Sequence, residues 1–240
     1  MQLFSKILHE NQVAHGFFNR LDGVSPAPFD SLNISSTVGD DPQNVAENKN
    51  RIKALFNNAP LITMEQVHGN SVSILNEAPV EDFEFKGSDA IITNCKGALL
   101  TCKHADCQPI LIYDPVHKAI GCIHNGWKGS VLNIIEKTIA AMQKQYKTNP
   151  TEIVVTIGPS LGPDHAQFIN YKKELPAPFW KYRSEGDLFD FWKISINQLE
   201  TCGVPKEQIE LLPICTVCDS RFFSYRRQPK TGRCASVIML

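Results

Sequence analysis

At 240 residues, with 24 basic and 25 acidic side chains, the chain is long enough to bury a substantial core without disulfides or a structural metal, and a single domain over 1–240 is expected. Its basic groupings (Lys49 to Arg51, Lys172 with Lys173, Arg226 with Arg227) are isolated rather than striped, which argues against nucleic acid as a partner. Residues 1–30 carry Lys6, His9, Glu10, Arg20 and Asp22, so they hold no signal-type apolar run, and no apolar stretch of ~18 residues follows; a cytoplasmic protein, off the membrane and with reduced thiols, is expected.

The stretch from His15 to Ser36 contains Gly16, Asp22, Gly23, Pro26 and Pro28, too much turn chemistry for one regular element. Asp41 followed by Pro42 opens a helix whose Val45, Ile52, Leu55 and Phe56 share a face. From Leu61 the pattern changes to short apolar runs that read as strands: Leu61 to Val67, Ser71 to Leu75, Asp89 to Thr93, Ala98 to Cys102, Ile110 to Asp114 and Ala119 to His124. A helix follows, with Val131, Ile134, Ile135, Thr138, Ile139 and Met142 on one face, and Glu152 to Ile157 then reads as a buried strand. A second helix over Asp190 to Cys202 ends at Gly203, a natural residue for the left-handed turn after a helix. Strands come in runs rather than alternating with helices, so an α+β architecture with mixed sheets is expected over a doubly wound one. Cys95, Cys102, Cys122 and Cys234 lie in apolar strand-like runs and read as small buried hydrophobes.

Three segments place a metal-capable side chain at the end of an apolar run beside turn residues: Gln-Val-His-Gly ending at Gly69, His-Ala-Asp-Cys ending at Cys107, and the run from Ile123 to Gly129 that contains His124. His68, Cys107 and His124 are 39 and 17 positions apart, so they form no local finger, and a shared site requires strands that meet in space. Two imidazoles and a thiolate suit zinc, and three protein ligands leave a fourth position open, as in catalytic sites. Spacing alone leaves the alternative open, because a single histidine is ordinarily packed or on the surface.

These segments resemble the Gln-Val-His-Gly, Ala-Asp-Cys and His-x-Gly-Trp-x-Gly motifs of the laccase-domain purine nucleoside phosphorylase family, in the same order. The resemblance extends to His15–Arg20, Ser31–Asn33, Val38–Pro42, Asp89–Thr93, Ile157–Pro163 and Cys215–Arg227, which together run from about residue 15 to the C-terminus. It implies a layered α/β/β/α sandwich of mixed sheets, similar also to bacterial deamidating toxins, and zinc on His68, Cys107 and His124. Family members are phosphorylases of adenosine, inosine and methylthioadenosine, some of them deaminate adenosine, and the family carries an older label of copper-dependent polyphenol oxidase. One His/His/Cys site is able to take copper instead of zinc. However, multicopper oxidases need paired His-x-His ligands, and the seven histidines here (9, 15, 68, 104, 117, 124 and 165) never take that spacing.

Purine nucleosides and phosphate are therefore the expected partners. Phosphorolysis needs cations for phosphate, stabilisation of the departing purine, and exclusion of water. Arg20, in a motif loop, and Lys128, four residues past His124 in the turn opening a predicted helix, are candidates for phosphate binding, with solvated surface cations as the plain alternative. Asp106 is a candidate for proton transfer or for orienting a ligand histidine, or else a turn carboxylate bound to local amides. His104 stands where threonine is common in the family and is a candidate proton shuttle or extra ligand, or else a packed histidine. Two further departures are Asp164 with His165, where many members have a Cys-Cys pair, and Lys128, where arginine is usual. Cys215 and Cys218 have C-x-x-C spacing without a flanking βαβ unit and read as structural and reduced. The rival readings are a Cys-His hydrolase or deamidase, with Cys107 as nucleophile and His124 as base, and a non-catalytic binding role.

Overall fold

The computed structural model describes residues 2–240. Its elements in chain order are β1 (Gln2–Leu3), α1 (Lys6–Glu10), β2 (Ala14–Phe18), α2 (Pro42–Ala54), β3 (Leu61–Met64), β4 (Val72–Leu75), β5 (Phe83–Phe85), β6 (Ala90–Thr93), β7 (Leu99–His104), β8 (Gln108–Asp114) and β9 (Ala119–Asn125). They continue with α3 (Trp127–Val131), α4 (Ile134–Tyr146), β10 (Val154–Ile157), α5 (Tyr171–Glu174), a short hairpin of β11 (Arg183–Ser184) and β12 (Leu188–Phe189), α6 (Phe191–Thr201), β13 (Ile209–Leu211) and β14 (Cys234–Met239).

Two six-stranded sheets carry the fold, in the orders β1-β2-β14-β7-β3-β5 and β13-β10-β8-β9-β6-β4. Both are mixed: β3 runs parallel to β5 and β7, β4 to β6, and β10 to β13, while the other pairs are antiparallel. The period-2 alternation of side chains explains the layering. Leu111 and Tyr113 on β8 and Ile120 and Cys122 on β9 face Phe17, Ile62, Leu100, Cys102 and Ile238 of the opposite sheet. Their neighbours Ile110, Ile112 and Ile123 turn the other way, onto Ile134, Ile135, Ile139 and Met142 of α4 and Leu199 of α6. On the far side, Leu61, Leu99 and Val237 meet Ile52 of α2 together with Phe56, Leu32 and Ile34. The result is the expected α/β/β/α sandwich. Every residue of β8 and β9 is buried. Each large aliphatic side chain so covered contributes about 1.5–3 kcal/mol.

Helix ends follow local chemistry. Asp41 accepts the Gln43 N–H ahead of α2, with Pro42 in the first turn, and Asp190 accepts the Lys193 N–H ahead of α6, which stops before Gly203 at φ +93°. The helix expected to run on from Val131 is instead two. Asn133, at φ 54°, breaks the path and caps α4 through the Glu136 N–H, so Val131 joins Trp127 and Phe168 in an aromatic cluster rather than the α4 face. The first strand after Leu61 stops at Met64, three residues short of Val67, because the chain turns toward His68. In the turn-rich N-terminal stretch β2 is regular, and the remainder is loop, as expected. Cys102, Cys122 and Cys234 are fully buried, whereas Cys95 lies beyond the end of β6 and is only half-buried. All eight cysteines are free thiols. Among the described residues no helix is long and apolar enough to cross a membrane.

Candidate functional site

The two sheets converge at the ends of β3, β6, β7, β8 and β9, and there the three ligand candidates meet. His68 lies in the turn leaving β3, Cys107 in the turn between β7 and β8, and His124 near the end of β9. One donor atom from each lies within 4.8 Å of the other two, and the two imidazole centroids are 4.9 Å apart in an edge-to-face arrangement. His124 is buried, Cys107 half-buried and His68 exposed, so the cluster opens to one side.

The His68 turn is held from both ends. Where β3 stops pairing, the Gln66 side chain takes over: its Nε2 donates to the Lys103 carbonyl at 2.6 Å and its Oε1 accepts the Lys103 N–H at 2.9 Å. His68 itself sits at φ 59° in the left-handed region, which costs a non-glycine residue energy that its surroundings must offset. The offset is Asp89, fully buried at the head of β6. Its carboxylate accepts the backbone N–H groups of Val67, His68 and Gly69 at 3.2, 3.0 and 2.7 Å. The same carboxylate accepts from His124 Nδ1 at 2.8 Å, which leaves Nε2 of that ring to face the cluster. One buried carboxylate thus sets the backbone of one ligand candidate and the tautomer of another. Burial alone would raise the pKa of Asp89, but the bonds to His124 and to the Gly69 and His68 amides outweigh it and hold the group below the ordinary carboxylate value.

Gly126 closes the other wall. A Cβ there would stand 3.0 Å from Cys107 Sγ and 3.1 Å from His68 Cδ2, so glycine lets the β9–α3 turn pass against both side chains. Burial pushes the Cys107 thiol up, but the His124 and His68 imidazoles more than reverse this and bring it down to about 6. For His124, burial disfavours the imidazolium, while the Cys107 thiolate and Asp89 raise it to about 9. Two imidazoles of opposite exposure on one thiolate, with a carboxylate behind one ring, are a donor set that fits a divalent transition metal.

The other candidates take separate places. Asp106, at φ 89° beside Cys107, accepts the Thr216 hydroxyl at 2.7 Å and the Arg226 N–H at 2.6 Å, while its carbonyl accepts the Leu161 N–H at 2.8 Å. It ties the Cys107 turn to two distant loops. His104 points between the sheets, where its Nε2 meets Ser236 Oγ at 2.8 Å and its buried Nδ1 has no partner among the described residues; burial, helped by His124 and Arg233, pushes it down to about 3 and keeps it neutral. Arg20 pairs with Asp30 at 2.5 Å and lies over the Phe223 ring. Lys128 is exposed on α3, its Nζ 5.5 Å from the centroid of the Trp127 ring, and makes no ion pair among the described residues. His165, Cys215 and Cys218 form a second close group elsewhere, on the loops that follow β10 and β13. Asp89 was missed as a functional residue by sequence reasoning, although a single carboxylate heading the apolar run Ala90–Thr93 was the available signal.

The chain matches the family model described as multi-copper polyphenol oxidoreductase laccase over residues 14–240. It is 33% identical over 231 residues to a purine nucleoside phosphorylase of Corynebacterium glutamicum, covering 93% of each chain. It is also 33% identical to the purine nucleoside phosphorylase YfiH of Escherichia coli, covering 92% of this chain and 91% of that one. Among solved structures, it superposes on Bacillus licheniformis hypothetical protein YfiH with a TM-score of 0.87 at 29% identity, covering 96% and 93% of the two chains. YlmD from Geobacillus stearothermophilus gives a TM-score of 0.83 at 28% identity, with 95% and 91% covered. With a shared sandwich and a match over nearly its whole length, the chain belongs to the laccase-domain family whose relatives include proteins named purine nucleoside phosphorylases.

Proposed function

We propose that this protein is a zinc-dependent purine nucleoside phosphorylase acting on adenosine, inosine or methylthioadenosine, with adenosine deamination as an accompanying activity. The observation that carries the reading is the convergence of His68, Cys107 and His124, with Asp89 fixing the two histidines, in a chain whose relatives bear that activity in their names. His68, Cys107 and His124 would hold the zinc, which supplies a Lewis acid when bound. Asp89 keeps the His124 ring oriented, and Asp106, with both carboxylate oxygens engaged, positions the Cys107 turn. His104, held neutral between the sheets, serves as a packing and hydrogen-bonding group.

In phosphorolysis a phosphate oxygen bonds to the ribose anomeric carbon as the glycosidic bond breaks, and the electron pair leaves with the purine, which takes up a proton. Lys128, exposed and without an ion pair among the described residues, is the freer cation for phosphate, and Arg20 would contribute only by sharing its guanidinium with Asp30. The ligand spacing argues for zinc or one copper rather than a multicopper relay, since no His-x-His pair occurs.

Asp89, His124 and Cys107 stand in the succession of a carboxylate–imidazole–thiol triad, as in a cysteine hydrolase or deamidase. His68 weighs against it, because a second imidazole on the same sulfur is surplus to a triad and needed by a metal. The deciding experiment incubates protein of defined metal content with each nucleoside, with and without phosphate. Base plus ribose 1-phosphate, lost on Cys107→Ala, supports phosphorolysis; inosine formed from adenosine supports deamination. Fully loaded protein that turns over no nucleoside, or full activity without metal, overturns the reading.

A further inference from the structure

The loops after β10 and β13 bring together three donors outside the site described above. His165 Nδ1 stands 3.7 Å from Cys215 Sγ and 3.5 Å from Cys218 Sγ, and one donor atom from each residue lies within 4.8 Å of the others. Zinc bonds of about 2.3 Å to sulfur and 2.0–2.1 Å to nitrogen, meeting near the tetrahedral angle, put a sulfur and a nitrogen about 3.6 Å apart. Both contacts match that separation. A hydrogen bond explains only one of them, because Nδ1 has either one proton or one lone pair to offer. A cation at the common point satisfies all three groups.

The surrounding backbone is shaped to one of the sulfurs. The Gly162 N–H donates to Cys215 Sγ at 3.3 Å. A Cβ on Gly162 would lie 2.9 Å from Cys215 Cβ and 3.1 Å from its Sγ, so only glycine allows this approach. We propose that His165, Cys215 and Cys218 form a second metal site, for Zn(II) or a similar thiophilic divalent ion, that clamps the loop at 160–165 to the loop at 214–218. Water or Asp164, whose charge acts on the thiol of exposed Cys218, would supply a fourth donor.

The clamp has a defined mechanical effect. Ser160 and Cys215 already form a bridge, with the Ser160 N–H donating to the Ile214 carbonyl and the Thr216 N–H to the Ser160 carbonyl, at 3.1 and 3.0 Å. From these same loops the Thr216 hydroxyl and the Leu161 N–H reach Asp106, the neighbour of Cys107. An ion on His165, Cys215 and Cys218 therefore braces the support of the first site without taking part in its chemistry. The two sites share no ligand and are separable by mutation.

The test is metal content by elemental analysis of protein produced with ample zinc, in the wild type, Cys107→Ala, Cys215→Ser/Cys218→Ser and the combination of all three changes. About two ions per chain are expected in the wild type, about one in each partial variant, and none in the combination. Because the double serine variant is able to fail by misfolding, a second measurement uses only Cys107→Ala, an independent lesion. Alkylation of Cys215 and Cys218, mapped by mass spectrometry, should be blocked by added zinc and restored by a chelator, and Co(II) should give the thiolate charge-transfer absorption of two sulfurs. Folded Cys107→Ala that binds no Co(II) and leaves both thiols open to alkylation in zinc overturns the proposal. So does a Cys215–Cys218 disulfide in the protein as purified. Neither result touches the nucleoside assay, so this site and the proposed activity fail or stand separately.

Discussion

Asp89 is the residue on which the first site turns, because it holds His68 through the backbone and His124 through the ring. Asp89→Asn keeps the volume but replaces one acceptor oxygen with an amide donor, and should weaken zinc binding about 10- to 100-fold, read by competition with a chelator of known affinity. Unchanged affinity would mean that the ligands are positioned without it. Ionisation offers an independent check in protein stripped of metal. With Cys107 lowered to about 6 and His124 raised to about 9, the folded pair is thiolate and imidazolium across that window. From about pH 6.5 to 9 the unfolded chain carries thiol and neutral imidazole, the same number of protons. The stability gained by the depressed thiol as pH rises is cancelled by that lost from the raised imidazole, and the pair adds no pH slope to unfolding there. Reactivity should still move: alkylation of Cys107 is expected to rise through a midpoint near pH 6, and a midpoint at the ordinary thiol value would show that the pair is not ionised. The three ligand candidates that the fold brings together were legible in the sequence because each lies in a recognisable motif. Asp89 was not, since its role lies in three amide directions that exist only once the turn at Val67–Gly69 has formed.

At the scale of elements, the residue after β10 is pressed between side chains of both sheets. A Cβ on Gly158 would lie 2.3 Å from Phe17 Cε1, on β2 of one sheet, and 2.8 Å from Pro109 Cγ, on β8 of the other. Gly158→Ala should therefore destabilise the protein by about 1–3 kcal/mol, measured by urea unfolding, through overpacking rather than any loss at the metal ligands. An unchanged midpoint would show that Phe17 rotates away freely. The fully buried strands β6, β8 and β9 were legible as uninterrupted apolar runs, α2 from Asp41 and Pro42 at its start, and α6 from the Gly203 that follows its end. Short elements escaped: β5 and β13 run three residues each with half-exposed faces, and α1 has five residues with one buried side chain. Their existence depends on neighbours that arrive from far along the chain. The break at Asn133 was hidden for a related reason, since the apolar spacing continues through it while the backbone does not.

For the whole molecule, the two ligand clusters predict that metal removal is felt in stability as well as in activity. Binding to the folded state alone stabilises it by mass action, by about 4 kcal/mol when free metal is a thousandfold above the dissociation constant. A chelator should thus lower the melting temperature of the wild type, and should leave the Cys107→Ala/Cys215→Ser/Cys218→Ser protein unmoved. A chelator-insensitive wild type would argue that neither cluster is loaded. Cys215→Ser/Cys218→Ser by itself should lower the melting temperature more than it lowers turnover, because its metal braces loops instead of meeting substrate. The sheet order carries a further consequence, for synthesis. β14 lies between β2 and β7, yet Cys234 follows His104 by 130 residues. At the 5–20 residues per second typical of translation, roughly 7–26 seconds pass between the making of β7 and of the strand that fills the gap beside it. Throughout that interval a nascent chain displays two unsatisfied strand edges from β2 and β7, open to pairing with a neighbour on the same message. Holding chaperones should accordingly raise the soluble yield, and slowing initiation so that ribosomes are spaced further apart should do the same.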